Sequence, residues 1–175
     1  MGKIRPSEAA LLFVGMLYSD PGVFGQAKTS VERNFGEILW MVPPVPWEYS
    51  THYRDELGWP ITRQFLFIRG LFDTGRLAEV KLGTNGIETS LSAGGKRRVN
   101  LDPGYVTLAK VVLASTKNYS HRVYLGKGIY AEVTLIYHAG ERCFAPHLFT
   151  YRDYREKRCI DMFVEAREIL AGMSA

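Results

Sequence analysis

One combination of apolar and polar positions occurs twice along this chain. In the first copy, the run LLFVGMLY is apolar throughout and has the length of a buried strand. Asp20 follows at an N-cap position, Pro21 at the first helical position, and Gly36 closes a segment with apolar residues at helical spacing. The run EILWMV then predicts a second strand, so this copy predicts a β-α-β unit.

The second copy repeats these signals around its own Asp-Pro-Gly. RRVNL predicts a strand, Asp102 and Pro103 predict a helix start, and GYVTLAKVVLAST forms the predicted helix before the strand HRVYL. This helix is the weaker of the two because it contains β-branched residues, namely Val106, Thr107, Val111 and Val112. The two copies predict one α+β domain over residues 1–175. Its sheet is mixed or antiparallel, with helices packed on one face in a ferredoxin-like arrangement of two β-α-β units.

Two further helices are expected outside these copies. One runs from Asp73 to about Leu91, although Gly83 and Gly86 lower its propensity. We expect its polar side to face solvent; the residues there are Lys81, Asn85 and Glu88. A final amphipathic helix runs from about residue 155 to residue 171.

The segment HRVYLGKGIYAEVTLIY predicts a β-hairpin with residues 126–128 as its loop. The predicted cross-strand pairs are Tyr124 with Tyr130, Arg122 with Glu132, and Ser120 with Thr134. The other side of this hairpin is apolar and carries Val123, Leu125, Ile129, Ala131, Val133 and Leu135. Arg98 and Asn100 have the parity to join the polar side.

This polar side is the first candidate site, because arginine forks suit phosphate or carboxylate and tyrosine rings offer a stacking surface. The predicted ligand-binding residues are Arg98, Asn100, Lys117, Arg122, Tyr124, Tyr130 and Thr134. The catalytic candidates are Glu132, Asp102 and His121, although His121 falls on the apolar side in this register. An ordinary exposed sheet face with one cross-strand ion pair explains the same pattern equally well.

Composition narrows the class of protein without selecting an activity. The net charge of +4 permits an anionic partner, and two cysteines suit a reducing cytoplasm. The longest apolar run is too short to span a bilayer, so we expect no membrane association. The basic clusters near residues 96–98 and 152–158 are expected to be solvated.

The more specific ligand-binding motifs are not supported by their sequence context. GKGIYA fits a dinucleotide fingerprint in letters, but it joins two strands and opens no helix. His138, Cys143 and His147 match no common zinc spacing, so we predict no metal site, and no cofactor is indicated. The long loop 42–60 is rich in aromatic residues and is either a binding lid or a surface loop packed on itself.

Several segments together resemble a known family. They are LFVGMLYSD, KLGTN, RRVNLDPGY, LASTKNYSHRVYLGKGIYAEVTLIY and TYRDYR. They are similar to a bacterial family of uncharacterised proteins, the domain of unknown function 4416 family, over nearly the whole chain. Some relatives carry a GTP-binding label, although this chain has no phosphate-binding loop that would support it. The resemblance implies a compact bacterial protein and no established catalytic residues.

Three functions stay open at this point. The first is a binder of a small anionic ligand, such as a nucleotide or a phosphorylated metabolite, with hydrolysis or phosphoryl transfer as the chemistry to test first. The second is an RNA-binding module that uses the same sheet face. The third is a protein-interaction domain that uses the aromatic loop 42–60. Whether the protein is an enzyme and how it oligomerises stay open as well.

Overall fold

The computed structural model describes residues 2–4 and 6–173. Within them, nine strands form one sheet and four α-helices pack on it. The strands are β1 (Leu11–Tyr18), β2 (Ile38–Met41), β3 (Val45–Pro46), β4 (Thr62–Ile68), β5 (Val99–Val106), β6 (Lys110–Ser115), β7 (Val123–Gly126), β8 (Ile129–His138) and β9 (Cys143–Pro146). The helices are α1 (Pro21–Phe35), α2 (Arg54–Leu57), α3 (Leu77–Ser90) and α4 (Lys157–Met173), with short 3₁₀ turns at Thr74–Arg76 and Asp153–Arg155.

The sheet is antiparallel in every pair, in the order β2-β4-β1-β5-β6-β8-β7. Strand β3 also pairs with β4, and β9 also pairs with β8. Since β4 is antiparallel to both β1 and β2, the latter two are parallel to each other with β4 between them. The first β-α-β unit is therefore confirmed, and so is the α+β class.

Helix α1 begins and ends as its sequence predicts. The Asp20 carboxylate accepts the Gly22 amide at 2.7 Å, and Pro21 is the first helical residue. The amide of Gly36 donates to the carbonyl of Glu32, with a φ of 118° that favours glycine.

Helices cover both faces of the sheet, which corrects the prediction of one covered face. Strand β1 shows the reason, because it is buried along its whole length and its side chains alternate. Leu11 and Phe13 pack in a core with α4, whereas Leu12, Val14 and Met16 pack in a second core with α1 and α3.

The second β-α-β unit is wrong: Asp102 and Pro103 lie inside strand β5, and the predicted helix forms the end of β5 and strand β6. Gly104 gives part of the reason. A Cβ atom at Gly104 would collide with the carbonyl oxygen of Val112 and with the ring of Phe13, so this glycine lets three strands approach closely. The β-branched residues that weakened the helix prediction favour strand instead.

Strands β5 and β6 pair only at their hairpin end, and this positions the site. Only residues 104–106 of β5 pair with β6, although β5 begins at Val99. Beyond Leu113, β6 pairs with β8 alone. We call the opening between residues 99–103 and residues 114–117 the fork.

The hairpin of β7 and β8 confirms the predicted pair of Tyr124 and Tyr130, with residues 126–128 turning at positive φ. The pair of Ser120 and Thr134 is wrong, because β7 begins only at Val123. An irregularity in the pairing of β8 with β6 reverses the alternation near Thr134. Leu135 therefore packs under α4, whereas Ile129 packs against α3.

Within the described residues, no helix has the length and apolar character needed to cross a membrane.

Candidate functional site

A cavity of about 530 Å³ lies at the fork, beneath the aromatic part of loop 42–60. Its volume is in the range that small-molecule sites occupy, about 300–1,000 Å³. Side chains from both faces of the sheet reach this cavity, because β5 and β6 are not paired with each other at the fork. Lys81, Asn85 and Glu88 come from α3, and Arg63 and Asp153 come from the face under α4.

The walls of the cavity are densely charged. Five basic side chains line it, namely Arg63, Lys81, Arg97, Lys117 and Arg152. Four carboxylates line it as well, namely Glu88, Asp102, Glu132 and Asp153. The signs nearly balance, so the location of each charge decides what the cavity can bind.

Arg63 carries the charge at the inner wall. Its Nε and Nη2 donate to Oδ2 of Asp153 at 3.0 and 2.5 Å, and Trp47 Nε1 donates to the same oxygen at 3.1 Å. Burial works to lower the pKa of Arg63, but Asp153, Tyr154 and Asp102 outweigh it and raise that pKa above its usual value. Arg63 is therefore a fixed cation, and Asp153 joins it and Trp47 to the 3₁₀ turn.

Asp102 is the carboxylate nearest the centre of this network. Its Oδ2 accepts the side-chain amide of Asn100 at 2.8 Å and lies 3.5 Å from Nη1 of Arg63. Lys81 Nζ donates to the carbonyl of Leu101 at 2.8 Å and lies 4.0 Å from Oδ1 of Asp102. The Asp102 side chain keeps 31% of its surface exposed, so one carboxylate oxygen is available to a ligand.

Arg97 joins three segments at the edge of the cavity. It forms a bidentate pair with Glu56 of α2 at 2.6 and 2.8 Å, and it donates to Asn100 of β5 and Glu88 of α3. A hydrogen bond from Arg97 lowers the pKa of Glu56, whereas burial raises the pKa of Glu88. All of Arg97's contacts are therefore within the protein, and its basic cluster is not simply solvated.

Arg122 is buried behind the cavity wall. Its Nε donates to Glu132 at 2.6 Å, Nη1 donates to Ser115 and to the carbonyl of Lys117, and Nη2 donates to the Tyr151 hydroxyl. Burial raises the pKa of Tyr151 to about 12, so this hydroxyl stays protonated at neutral pH. The predicted Arg122–Glu132 pair is present, but it fixes the wall rather than presenting a free cation.

His121 shares the carboxylate of Glu132, with Nε2 at 2.9 Å from Oε2. Its ring stacks on Phe149 with a centroid distance of 4.3 Å. The predicted position of His121 on the apolar side is therefore wrong. Tyr119 to Arg122 form a turn ahead of β7, so the strand alternation does not extend to this residue.

Two basic residues stand at the mouth of the cavity, Lys117 and Arg152, and both are exposed. Within residues 2–4 and 6–173, neither has a carboxylate within 4.0 Å. The interior cations are paired, so the positive charge that is not compensated lies at the mouth.

Aromatic side chains form the remaining wall. Trp47 is buried and packs edge-on against Tyr49 and Tyr53, with centroid distances of 5.9 and 5.5 Å. Trp47, Tyr49 and Tyr53 therefore line the cavity, whereas Trp59 of the same loop is exposed and contacts Arg54. In the described part of the chain, no group of three or more His, Cys, Asp or Glu residues is arranged to hold a metal ion.

The structure separates the sequence-predicted residues into three groups. Asn100, Asp102, Lys117 and Glu132 line the cavity. Arg122 and His121 support its wall from behind, through Glu132. The others lie away from it, namely Arg98, Tyr124, Tyr130 and Thr134.

An ion pair and burial explain why the predicted polar face does not form the site. Arg98 pairs with Asp20 at the start of α1, at 2.7 Å. The expected open polar face is wrong, since Arg122, Glu132 and Thr134 are all buried.

Other residues of the site were not predicted. Lys81 and Glu88 were expected in solvent, yet both are buried against β5. Their signal is a stripe that begins at Leu77 and continues at helical spacing through Lys81, Thr84 and Glu88, all of which are buried. Arg63 and Asp153 gave no local signal, because they meet only through the fold.

Comparison with known proteins gives a family and nothing finer. No curated protein matches this chain, and no solved structure matches it. A family model described as Domain of unknown function (DUF4416) matches residues 8–170 of the 175. The chain therefore belongs to the DUF4416 family.

Proposed function

We propose that this protein binds a small anionic ligand, a nucleotide or a phosphorylated metabolite, in the cavity at the fork. The observation that carries the proposal is the location of charge. Arg63 and Arg97 are held in ion pairs inside the protein, whereas Lys117 and Arg152 at the mouth have no ion pair with any residue that the structure describes. A phosphate group at the mouth would meet both cations without displacing an internal partner.

The interior fits the uncharged part of such a ligand. Asp102 offers an accessible carboxylate oxygen to a hydroxyl or amine, and Lys81 offers donors beside it. The aromatic wall at Trp47 and Tyr53 offers a flat surface for a base or a sugar. A phosphate at the mouth with a polar ring inside is therefore the orientation that we propose.

Chemistry on the bound ligand is a further part of the proposal. Asp102 is the carboxylate best placed to accept a proton, because Asn100 and Arg63 fix one of its oxygens and leave the other open. Hydrolysis or phosphoryl transfer is the class that we would assay first. Glu132 is less suited, since its side chain is only 3% exposed, against 31% for Asp102.

A thermal-shift panel tests the proposal. It contains ATP, GTP, a hexose phosphate, inorganic phosphate and a short RNA. A ligand at 100 times its dissociation constant stabilises the folded state by about 2.7 kcal/mol, which is readily detected as a shift in Tm. We expect phosphorylated small molecules to raise Tm and the effect to fall at high salt. No response to any of them would contradict the proposal.

The alternatives have less support in the structure. A sheet-face RNA binder needs an open face, and here the polar face is buried around Arg122 and Glu132. A partner that docks on the aromatic loop needs outward-facing rings, and of the loop's two tryptophans Trp59 is 47% exposed and Trp47 only 6%. Binding of RNA alone in the panel would restore the first alternative.

We also propose a cytoplasmic location. Its support is that Cys143 and Cys159 are both free thiols, as in proteins of reducing compartments.

A further inference from the structure

A second, smaller cavity of about 210 Å³ lies beside the first, between α4 and the bend that joins β2 to β3. Apolar and sulfur-containing side chains form most of its lining; they are Val42, Pro43, Val45, Phe65, Cys159 and Met162. We call it the apolar annex. Burial raises the pKa of the Cys159 thiol, so this side chain stays neutral and contributes to the apolar character.

The annex and the larger cavity share part of their walls. Trp47, Tyr49, Arg63 and Asp153 line both of them. The charged groups in this shared wall bond to each other, because Arg63 and Trp47 both donate to Asp153. Nε and Nη2 of Arg63 are therefore satisfied within this wall. Its Nη1 has no hydrogen-bond partner among the described residues and lies 3.5 Å from Oδ2 of Asp102, which lines the larger cavity and not the annex.

The size and lining of the annex indicate its occupant. An apolar cavity of about 150 Å³ stays free of water and binds benzene. At about 210 Å³, the annex accepts a group of one aromatic ring with a small substituent. Water has little to bond to there, so an apolar group gains from entering it.

We propose that the annex binds a compact apolar group carried by the same ligand whose anionic part lies in the cavity at the fork. This inference rests on the proposed function and narrows its ligand class. The ligand is then an amphipathic small molecule, with a phosphate or similar anion at one end and a ring-sized apolar group at the other.

Methionine methyl groups give a direct test of the annex. Met162 lines it, whereas Met16 lies in the core under α1 and α3 and serves as the internal control. In protein labelled with ¹³C at the methionine methyls, benzene should shift the Met162 resonance and leave Met16 unchanged. A Val45→Phe variant, which fills the annex, should lose this shift, and Val123→Phe on the exposed edge strand β7 should keep it. No shift at Met162 in the wild type would overturn the proposal.

Nucleotide analogues test whether one ligand uses both cavities. ATP and GTP are compared with their N-methylanthraniloyl esters, which add one substituted ring. The esters should bind at least about tenfold more tightly and shift Met162, because burying a ring of this size typically contributes that much. The gain should disappear in Val45→Phe.

These experiments distinguish a failure of the annex proposal from a failure of the proposed function. Nucleotide binding with no gain for the esters would overturn the annex as part of the ligand site. A Met162 shift with benzene, together with no binding of any nucleotide or ester, would overturn the proposed function and with it the shared ligand.

Discussion

Arg63 and Asp102 meet across a strand that lies between them, with Nη1 of Arg63 at 3.5 Å from Oδ2 of Asp102. Arg63 belongs to β4 and Asp102 to β5, and β1 separates the two strands. Gly15 of β1 lies directly below the crossing: a Cβ atom there would be 3.1 Å from Nη1. The contact therefore depends on a residue without a side chain at this position.

The first prediction concerns that glycine. Gly15→Ala places a methyl group 3.1 Å from both Arg63 Nη1 and the Phe65 ring, so both buried neighbours must shift and disturb the Arg63 network. We expect a loss of about 1–3 kcal/mol in the free energy of unfolding, as for other overpacked cores. Urea denaturation measures it.

Gly25→Ala is the matched control for this prediction. Gly25 lies in α1, and no neighbouring atom of the described residues comes within 4 Å of a Cβ built there, so alanine should be neutral or stabilise by up to about 1 kcal/mol. Equal stability of Gly15→Ala and the wild type would show that Arg63 does not need the space.

The second prediction concerns Asp153. Asp153→Asn removes the negative charge that faces Arg63, whose side chain is only 7% exposed. Removing one partner of a buried pair typically costs about 3–5 kcal/mol. Asp102 still faces Arg63 at 3.5 Å, so we expect the lower end of this range. The asparagine should also weaken the hold on Trp47, which changes tryptophan fluorescence and exposes the loop to protease.

Asp161→Asn provides the comparison, since its ion pair with Lys157 lies on the surface of α4. We expect a change of about 0.5 kcal/mol or less there. A similar small change at Asp153 would mean that the Arg63 network does not hold the loop.

The third prediction is a pH dependence at Glu88. Burial raises the pKa of Glu88 in the folded state above its ordinary value of 4.5. The folded state therefore holds this proton more tightly than the unfolded state does, so its contribution to stability is present below pH 4.5. That contribution is lost as pH rises through the raised pKa.

The direction of this change is tested by urea denaturation of the wild type and Glu88→Gln at a series of pH values. The series begins at about pH 4, roughly half a unit below the ordinary carboxyl pKa. The free energy of unfolding of the wild type, relative to that of the variant, should fall as pH rises above the ordinary carboxyl pKa. Parallel curves for the two proteins would contradict the assigned shift. Asp55→Asn, on the exposed side of α2, controls for a general effect of removing a carboxylate.

Local signals explain the part of the fold that the sequence predicts correctly. The N-cap at Asp20, Pro21 at the first turn and Gly36 at the end act within α1 itself, so no tertiary contact is needed to identify them. The pair of Tyr124 and Tyr130 follows in the same way from its short turn.

Tertiary contacts explain the errors. The second Asp-Pro-Gly has the same local signals, but Gly104 serves the close approach of Phe13 and Val112 rather than a helix. The same limitation applies to the site. Asn100 was predicted from strand parity and Lys117 from its place near the strand ends. Arg63, Lys81 and Asp153 come from separate elements that meet only in the folded cavity.

The most direct test of the account is the affinity of the mouth for a phosphorylated ligand. Isothermal titration would compare the wild type, the Lys117→Ala/Arg152→Ala double variant and an Arg33→Ala control, using whichever panel compound gives the largest Tm shift. Arg33 is exposed on α1, away from the cavity. Two exposed ionic contacts contribute about 0.5–1 kcal/mol each, so the double variant should bind about five- to thirtyfold more weakly at low salt, with unchanged stability. Full affinity in the double variant, or an equal loss in Arg33→Ala, would contradict the assignment of the anion to the mouth of this cavity.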